Sequence, residues 1–431
     1  MEPSQAKVLV HAQVDEWLHL FNDDMTPKEG AIIPAKVLAL LAKFENQTPN
    51  TDESTAYPFA VDSSLFQFSP HSGDTIADVW FERGIAWAFG FNFTEASRCF
   101  QKSLSIAGDH FALGHYGLAL CHGPYYNRHG ARYLKDGLNP TASTFNVFTA
   151  VAHAEAASQR ASTNPTDPVH AALIEALLVR FRAFASTPPP PPQAPTPTQA
   201  KALAQELKES FDVAENKYAD QLRIVLTQTP NNPNVAAFLA AALMNLAPWK
   251  LWLPTDATPR TQRTPASNTL EIERVLRHAL SVAPTHPGLA HLWVHAMEMA
   301  PDATQSLPQA QLLAQAGAAK TSEIGHLSHM AAHIFMQVGD YQAAIETSLH
   351  AVAADRKMID TGMCDIGIYS GAVHNLHELV FSCMWAGNLE LGRQALVQLE
   401  NTAKESGVER LPTRLEPFGL TKYHFLIRFG L

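Results

Sequence analysis

Residues 80 to 103 decide the fold: Trp80-Phe81-Glu82-Arg83-Gly84 runs through Trp87 to Gly90-Phe91-Asn92-Phe93, and then to Ala96, Phe100 and Ser103. Apolar and small residues recur here at helical spacing on both sides of a Gly-Phe-Asn turn, which predicts two antiparallel helices. Gly84 and Ala96 are small where the paired helices must touch, and the aromatics fill the space beside them. One period of about 34 residues further on, a new start at Phe111 carries Tyr116-Gly117-Leu118-Ala119, and Gly123-Pro124-Tyr125-Tyr126-Asn127 stops that helix early.

Residues 128 to 186 read as helical but out of register, with segments near Ser143–Arg160 and Pro168–Phe184. The proline run at 187–198 reads as a stiff, exposed insertion, with helical grammar resuming on both sides. Helices follow over Ala200–Thr229, as one stretch or two, then over Asn234–Leu246 and Glu271–Val282. Further repeat starts fall at Pro287, Gly325 and Val373, with tight turns at Gly339-Asp340-Tyr341 and Gly387-Asn388-Leu389. A second insertion spans Ile359–Ala372, and Leu420–Leu431 reads as a first helix lacking its partner, marginal unless it docks elsewhere. Before the repeats, residues 1–76 form a lead-in with amphipathic segments at Val8–Phe21 and Ala35–Phe44 and an extended aromatic stretch at Tyr57–His71. The expected architecture is all-α: one tetratricopeptide-like right-handed helical solenoid over 77–431.

The chain has 431 residues and 20 histidines, and the histidines cluster on predicted helices. His291, His295 and Glu298 stand at i, i+4 and i+7; His326, His329 and His333 at i, i+3 and i+7; His374 and His377 at i and i+3. Each set shares one helix face. In the repeat register set by the Gly, Ala and turn residues, all these positions line the concave groove, as do His115 and His122. Three readings stay open: hydrogen-bonded groove histidines, a metal-free acid/base site in which imidazoles depress one another's pKa, and a metal site. His pairs one turn apart present two nitrogens to one ion, and a neighbouring helix can complete the shell.

Imidazole-dominated sites suit Cu, Fe, Zn or Ni, and the scarcity of carboxylates argues against Mg, Ca or Mn. The expected metal ligands are His291, His295, His329, His333, His374 and His377, as a two-metal site or as a mononuclear site with one Glu. Glu298, His326 and Tyr126 are the expected catalytic residues, with Tyr125, Tyr126, Asn127, Trp293 and Met299 lining a substrate pocket. Glu378 is expected to face a neighbour or solvent. No phosphate-binding glycine loop, nucleophile elbow or dinucleotide fingerprint appears.

A formal charge of −10 without a basic stripe argues against a nucleic-acid partner. No run of about 18 apolar residues exists to cross a membrane. No basic region precedes an apolar run at the N-terminus, so a cytoplasmic location is expected. The four cysteines show no Cys-x-x-Cys spacing, which disfavours thiolate zinc sites and disulfide scaffolding.

At these residues the chain resembles the large tetratricopeptide-repeat domain proteins of fungi and bacteria. The carriers are Trp80–Gly84 with Gly90-Phe91-Asn92, Tyr116–Ala119 with Gly123–Asn127, and Ala242–Leu246 with Pro248-Trp249. They continue with His286-Pro287-Gly288, His291, His295, Met297-Glu298-Met299, Gly325–Leu327, His329-Met330, His333-Ile334, Gly339–Tyr341, His374–His377 and Ile427–Gly430. The resemblance implies an accessory or tailoring role in secondary-metabolite biosynthesis. Three departures stand out: Ala331-Ala332 replaces a Pro-containing pair, Ala241 stands where similar proteins carry an acid, and those proteins continue past Gly430. The expected function is therefore a metal-dependent enzyme, an oxidoreductase or isomerase using Cu, Fe or Zn on a small-molecule substrate. The alternative is an interaction scaffold holding a peptide or pathway enzyme in the groove.

Overall fold

The computed structural model describes residues 57–130, 133–134, 145–182, 184, 197–255, 263–319, 322–361, 371–405 and 419–431. The chain divides into Met1–Tyr57 and Pro58–Leu431, and every element named below belongs to the second unit. The lead-in helices expected at Val8–Phe21 and Ala35–Phe44 lie outside the described residues, as do most of the proline run and of the insertion after Ile359. The extended segment after Pro58 belongs to the second unit and buries Phe59, Phe66 and Phe68 there.

Among the described residues that body is all-helical apart from one antiparallel pair, β1 (Trp252–Leu253) with β2 (Thr264–Pro265). The described helices are α1 (Thr75–Phe89), α2 (Phe93–Ala107), α3 (Ala112–His122), α4 (Val147–Thr163), α5 (Pro168–Arg182), α6 (Pro197–Gln228), α7 (Pro233–Leu246), α8 (Thr269–Val282), α9 (Pro287–Met297), α10 (Leu307–Ala318), α11 (Gly325–Val338), α12 (Tyr341–Asp360), α13 (Gly371–Ala386), α14 (Leu389–Glu405) and α15 (Thr421–Phe429). Asp74, Asn92, Asn146, Asn232 and Asp340 cap α1, α2, α4, α7 and α12 by accepting hydrogen bonds from first-turn amides, so short polar residues set the starts. The stretch after the proline run is one continuous helix, α6.

Helices pack on their chain neighbours, and odd-numbered ones also pack on each other: α1 on α3, α3 on α5, α7 on α9, α9 on α11, and α11 on α13. Among the even-numbered helices, α10 packs on α12 as well. The array then closes, because α1 also packs against α9. Phe89 at the end of α1 stacks on Phe238 of α7, 5.4 Å between ring centres, and lies edge-on to His286. The segment after Pro58 laces the closure: Phe66 stacks on Phe89, its carbonyl accepts from Asn234, and Ala60 pairs with Glu323 ahead of α11. The inward faces meet in an interior instead of lining an open groove. The C-terminal helix α15 docks on α13 and α14 through Phe425, which is 1% exposed.

Phe100 shows how tightly the first repeat is built. Its ring occupies the space against both Gly84 and Gly117, where an added Cβ would come within 2.5 Å of it. Gly84→Ala should destabilise by about 1–2 kcal/mol, since overpacking costs about 1–3 kcal/mol against a helix-propensity gain of about 1 kcal/mol. Urea unfolding should show a lower midpoint at unchanged slope.

His286 caps α9 with Nδ1 accepting from the Leu289 amide at 3.1 Å, so the cap requires the neutral ring. Burial holds its pKa down to about 4 against two backbone hydrogen bonds that raise it, whereas in the unfolded chain it titrates near 6.5. Between those values the unfolded state takes up a proton that the native state excludes. Stability should therefore fall as pH drops from 6.5 toward 4, by up to about 1.4 kcal/mol per pH unit from this residue. His286→Asn keeps a capping oxygen and should flatten that slope by close to one proton in thermal melts across the range.

Candidate metal centre

Six of the predicted histidines converge in two triads where α9, α11 and α13 meet. Triad one is His291, His295 and His326; triad two is His329, His333 and His374. Within each triad, one ligand nitrogen per residue lies within 4.8 Å of the other two. His291 and His295 face inward from successive turns of α9, and α11 presents His326 to the first triad and His329 and His333 to the second. His326, expected as a catalytic residue, thus joins the ligand set.

In triad one, His291 Nδ1 donates to the Phe89 carbonyl at 2.5 Å, a C-terminal carbonyl of α1. His295 Nδ1 donates to Glu298 Oε1 at 2.9 Å. These bonds fix both tautomers and leave Nε2 of each as an acceptor. Nε2 of His291, His295 and His326 is buried without a hydrogen-bond partner in all three cases. Unpartnered buried polar atoms are costly, and here two imidazole acceptors and the Nε2 of His326 lie unpartnered in one cluster. A metal ion satisfies all three at once, so the donor set fits a His-ligated ion whose ligands are oriented by carbonyl and carboxylate partners.

Glu298 links the triads. Its second oxygen accepts from His333 Nδ1 at 2.7 Å, and His333 Nε2 lies 2.8 Å from His329 Nε2. The carboxylate is 3% exposed; burial raises its pKa, but His333 and His295 outweigh burial and bring it to about 2. Burial likewise pushes His333 down, and Glu298 overrides it, raising His333 to about 9. His291, His326 and His329 are held well below the ordinary imidazole range by burial and by neighbouring imidazoles, and His374 falls to about 3 for the same reasons. Neutral rings are the metal-binding form, so His333, held protonated by Glu298, would have to give up its Nε2 proton for triad two to take an ion.

The remaining predicted residues separate from this centre. His377 lies outside both triads and stacks on Phe381, because the i+3 step from His374 carries it around α13. His115 and His122 also lie outside the triads: His115 Nδ1 meets His153 Nδ1 at 3.1 Å with Asp109 on its other nitrogen, and His122 Nδ1 accepts from the Asn146 amide. Tyr126 packs its ring 5.2 Å from His295 while its hydroxyl accepts from the Trp249 amide. Glu378 is half-buried, and burial raises its pKa while the nearby His333 lowers it, so it faces the second triad's surroundings.

Phe91 is the residue that helical periodicity misses. It sits in the α1–α2 turn at φ 57°, with its ring 4.5, 5.5 and 5.4 Å from the rings of His291, His295 and His326. Its other neighbours, Tyr125 and Phe93, border an apolar cavity between α1, α3, α6, α7 and α9. Tyr125 and Tyr126 line that cavity as expected. Asn127, Trp293 and Met299 do not; Trp293, two residues from His291, points to the opposite face of α9 and packs under Arg277. Ala241, where related sequences are expected to carry an acid, lies on the cavity wall and not among the ligands.

No protein-family model matches this chain, and no curated protein matches it in sequence.

Glu298→Gln should weaken metal binding at both triads by about 10- to 100-fold, because an amide can accept from only one of the two imidazole N–H groups. Competition with a chromogenic chelator measures this, and unchanged affinity would reject the orienting role of Glu298.

Proposed function

We propose that this chain is a metal-dependent enzyme carrying out an oxidative or rearranging tailoring step on a small organic molecule, with its reacting centre at the two histidine triads. The observation that carries the reading is the trio of buried, unpartnered Nε2 atoms beside an apolar cavity. Copper, iron and zinc are the ions that a set of neutral imidazoles favours. His291, His295 and His326 would hold one ion and His329, His333 and His374 a second. Such an ion supplies Lewis acidity or, for copper and iron, electron transfer.

The protein's own residues set the conditions. Glu298 fixes the donor tautomers of His295 and His333, and Phe91 and Tyr126 exclude water from triad one. The low-dielectric surroundings strengthen every charge interaction at the site. In this reading the helical body is a tetratricopeptide-like right-handed solenoid whose inward helices close around the site. Closure also weighs against the scaffold alternative, since His291, His295 and His329 are at most 2% exposed and out of a peptide's reach.

Elemental analysis of untagged protein should find one or two equivalents of copper, iron or zinc, lost in the His295→Ala/His333→Ala double variant. Protein that is metal-free and fails to take up these ions in titration would overturn the reading. Cobalt-substituted protein should also change its visible spectrum on adding azide, as an open coordination position requires. A four-coordinate spectrum indifferent to azide would make the metal structural and sink the enzyme assignment.

A further inference from the structure

The apolar cavity adjoining triad one is walled by Ile85, Phe89, Phe91, Tyr126, Phe238 and Asn245, among others. Three of these residues also touch the triad. The Phe89 carbonyl accepts from His291, the Phe91 ring covers all three imidazoles, and the Tyr126 ring lies against His295. Cavity and triad are thus two sides of one partition.

The cavity is electrically neutral. Its one charged side chain, Arg180, is consumed by two bonds to Glu215, at 2.5 and 2.8 Å, and a third to the Pro124 carbonyl at 2.9 Å. A carboxylate or phosphate entering here would find no free cation and would lose its hydration. One polar group does remain unsatisfied: Asn245 Oδ1 is buried without a partner, while Nδ2 of the same side chain reaches toward the Pro124 carbonyl at 3.5 Å. An unpartnered acceptor in a largely apolar wall favours a ligand that brings a hydrogen-bond donor.

The enclosed volume is about 60 Å³, enough for water but well short of the roughly 150 Å³ of a cavity known to take benzene. Phe91 is the lining residue whose ring also covers all three imidazoles of triad one. That residue holds a left-handed backbone, φ 57°, which costs a residue with a Cβ about 1–2 kcal/mol. Strain of this kind persists where surrounding contacts hold it, and here the contacts are the aromatic and imidazole rings on its two faces. Turning the ring aside would enlarge the cavity and join it to triad one in a single movement.

We propose that this cavity is the substrate subsite of triad one, that it takes a small uncharged aromatic molecule bearing one O–H or N–H donor, and that Phe91 is the gate between subsite and metal. The assignment rests on the metal-centre reading for its chemistry, but the binding itself needs no metal.

Phenol, toluene and benzoate serve as probes, titrated by calorimetry into the protein as purified and again after chelator treatment. Phenol should bind at least fivefold more tightly than toluene, and benzoate should not bind. Asn245→Leu should bring phenol down to the toluene level while sparing toluene, and Phe91→Ala should tighten phenol at least threefold. In cobalt-loaded protein, phenol should perturb the visible spectrum. Failure of phenol to bind both the wild type and Phe91→Ala would overturn the proposal, as would benzoate binding as well as phenol or a phenol preference that survives Asn245→Leu. Should the protein hold no metal, phenol binding still decides the subsite. Should metal be present while phenol fails to bind, only this inference falls.

Discussion

A single buried carboxylate, Glu298, holds the interior of this protein in one arrangement. Its two oxygens each accept from an imidazole, one in each triad. A lone carboxylate at 3% exposure would be driven to protonate; two imidazole N–H groups keep it ionised instead. The consequence spreads outward. His295 is fixed with Nδ1 toward the carboxylate and Nε2 toward His291 and His326, while His333 is fixed between Glu298 and His329. Glu298 follows directly on the last turn of α9 and His333 lies on α11, so the bond also sets how these two helices sit against each other.

Around this polar centre the packing is aromatic. Phe91, Tyr126 and Trp249 surround His295 and its neighbours, and Phe66, Phe89 and Phe238 form the seam where α1 meets the later helices. Rings suit both tasks, since they bury large apolar area and their edges and faces tolerate imidazole contact. These rings shield the Nε2 atoms of triad one from water, whereas His333 in triad two keeps 20% of its side chain exposed.

Much of this was legible in the sequence, and the failures share a cause. The Gly84–Phe100 match, the Phe91-Asn92-Phe93 turn and the His spacing on α9 and α11 are local, and local periodicity reports them well. The separation of His377 from His374, and the approach of His326 from the first turn of α11 to His291, depend on how α9, α11 and α13 rotate about their axes. Helical spacing gives a face only to within a wide stripe. Ring closure is less accessible still: Phe89 meets His291 across 202 positions, and no repeat period encodes that contact. The turn at Phe91 is legible but its place over triad one is not, because a turn residue carries no periodicity; an aromatic at a turn usually filled by small or polar residues is the signal.

Closure changes what a histidine-lined concave face can be. In an open array such a face is wet, its imidazoles titrate near 6.5, and each finds water for both nitrogens. Once α1 and the segment after Pro58 seal the array against α7 and α9, the same side chains lose that water together. Some recover partners within the protein: Phe89, Glu298 and His329 supply them. His291, His295 and His326 recover a partner on one side at most, and their remaining nitrogens converge. The fold thus concentrates unsatisfied acceptors at one point beside a neutral aromatic cavity, and that concentration, more than the count of histidines, is what distinguishes a ligand set from a polar face.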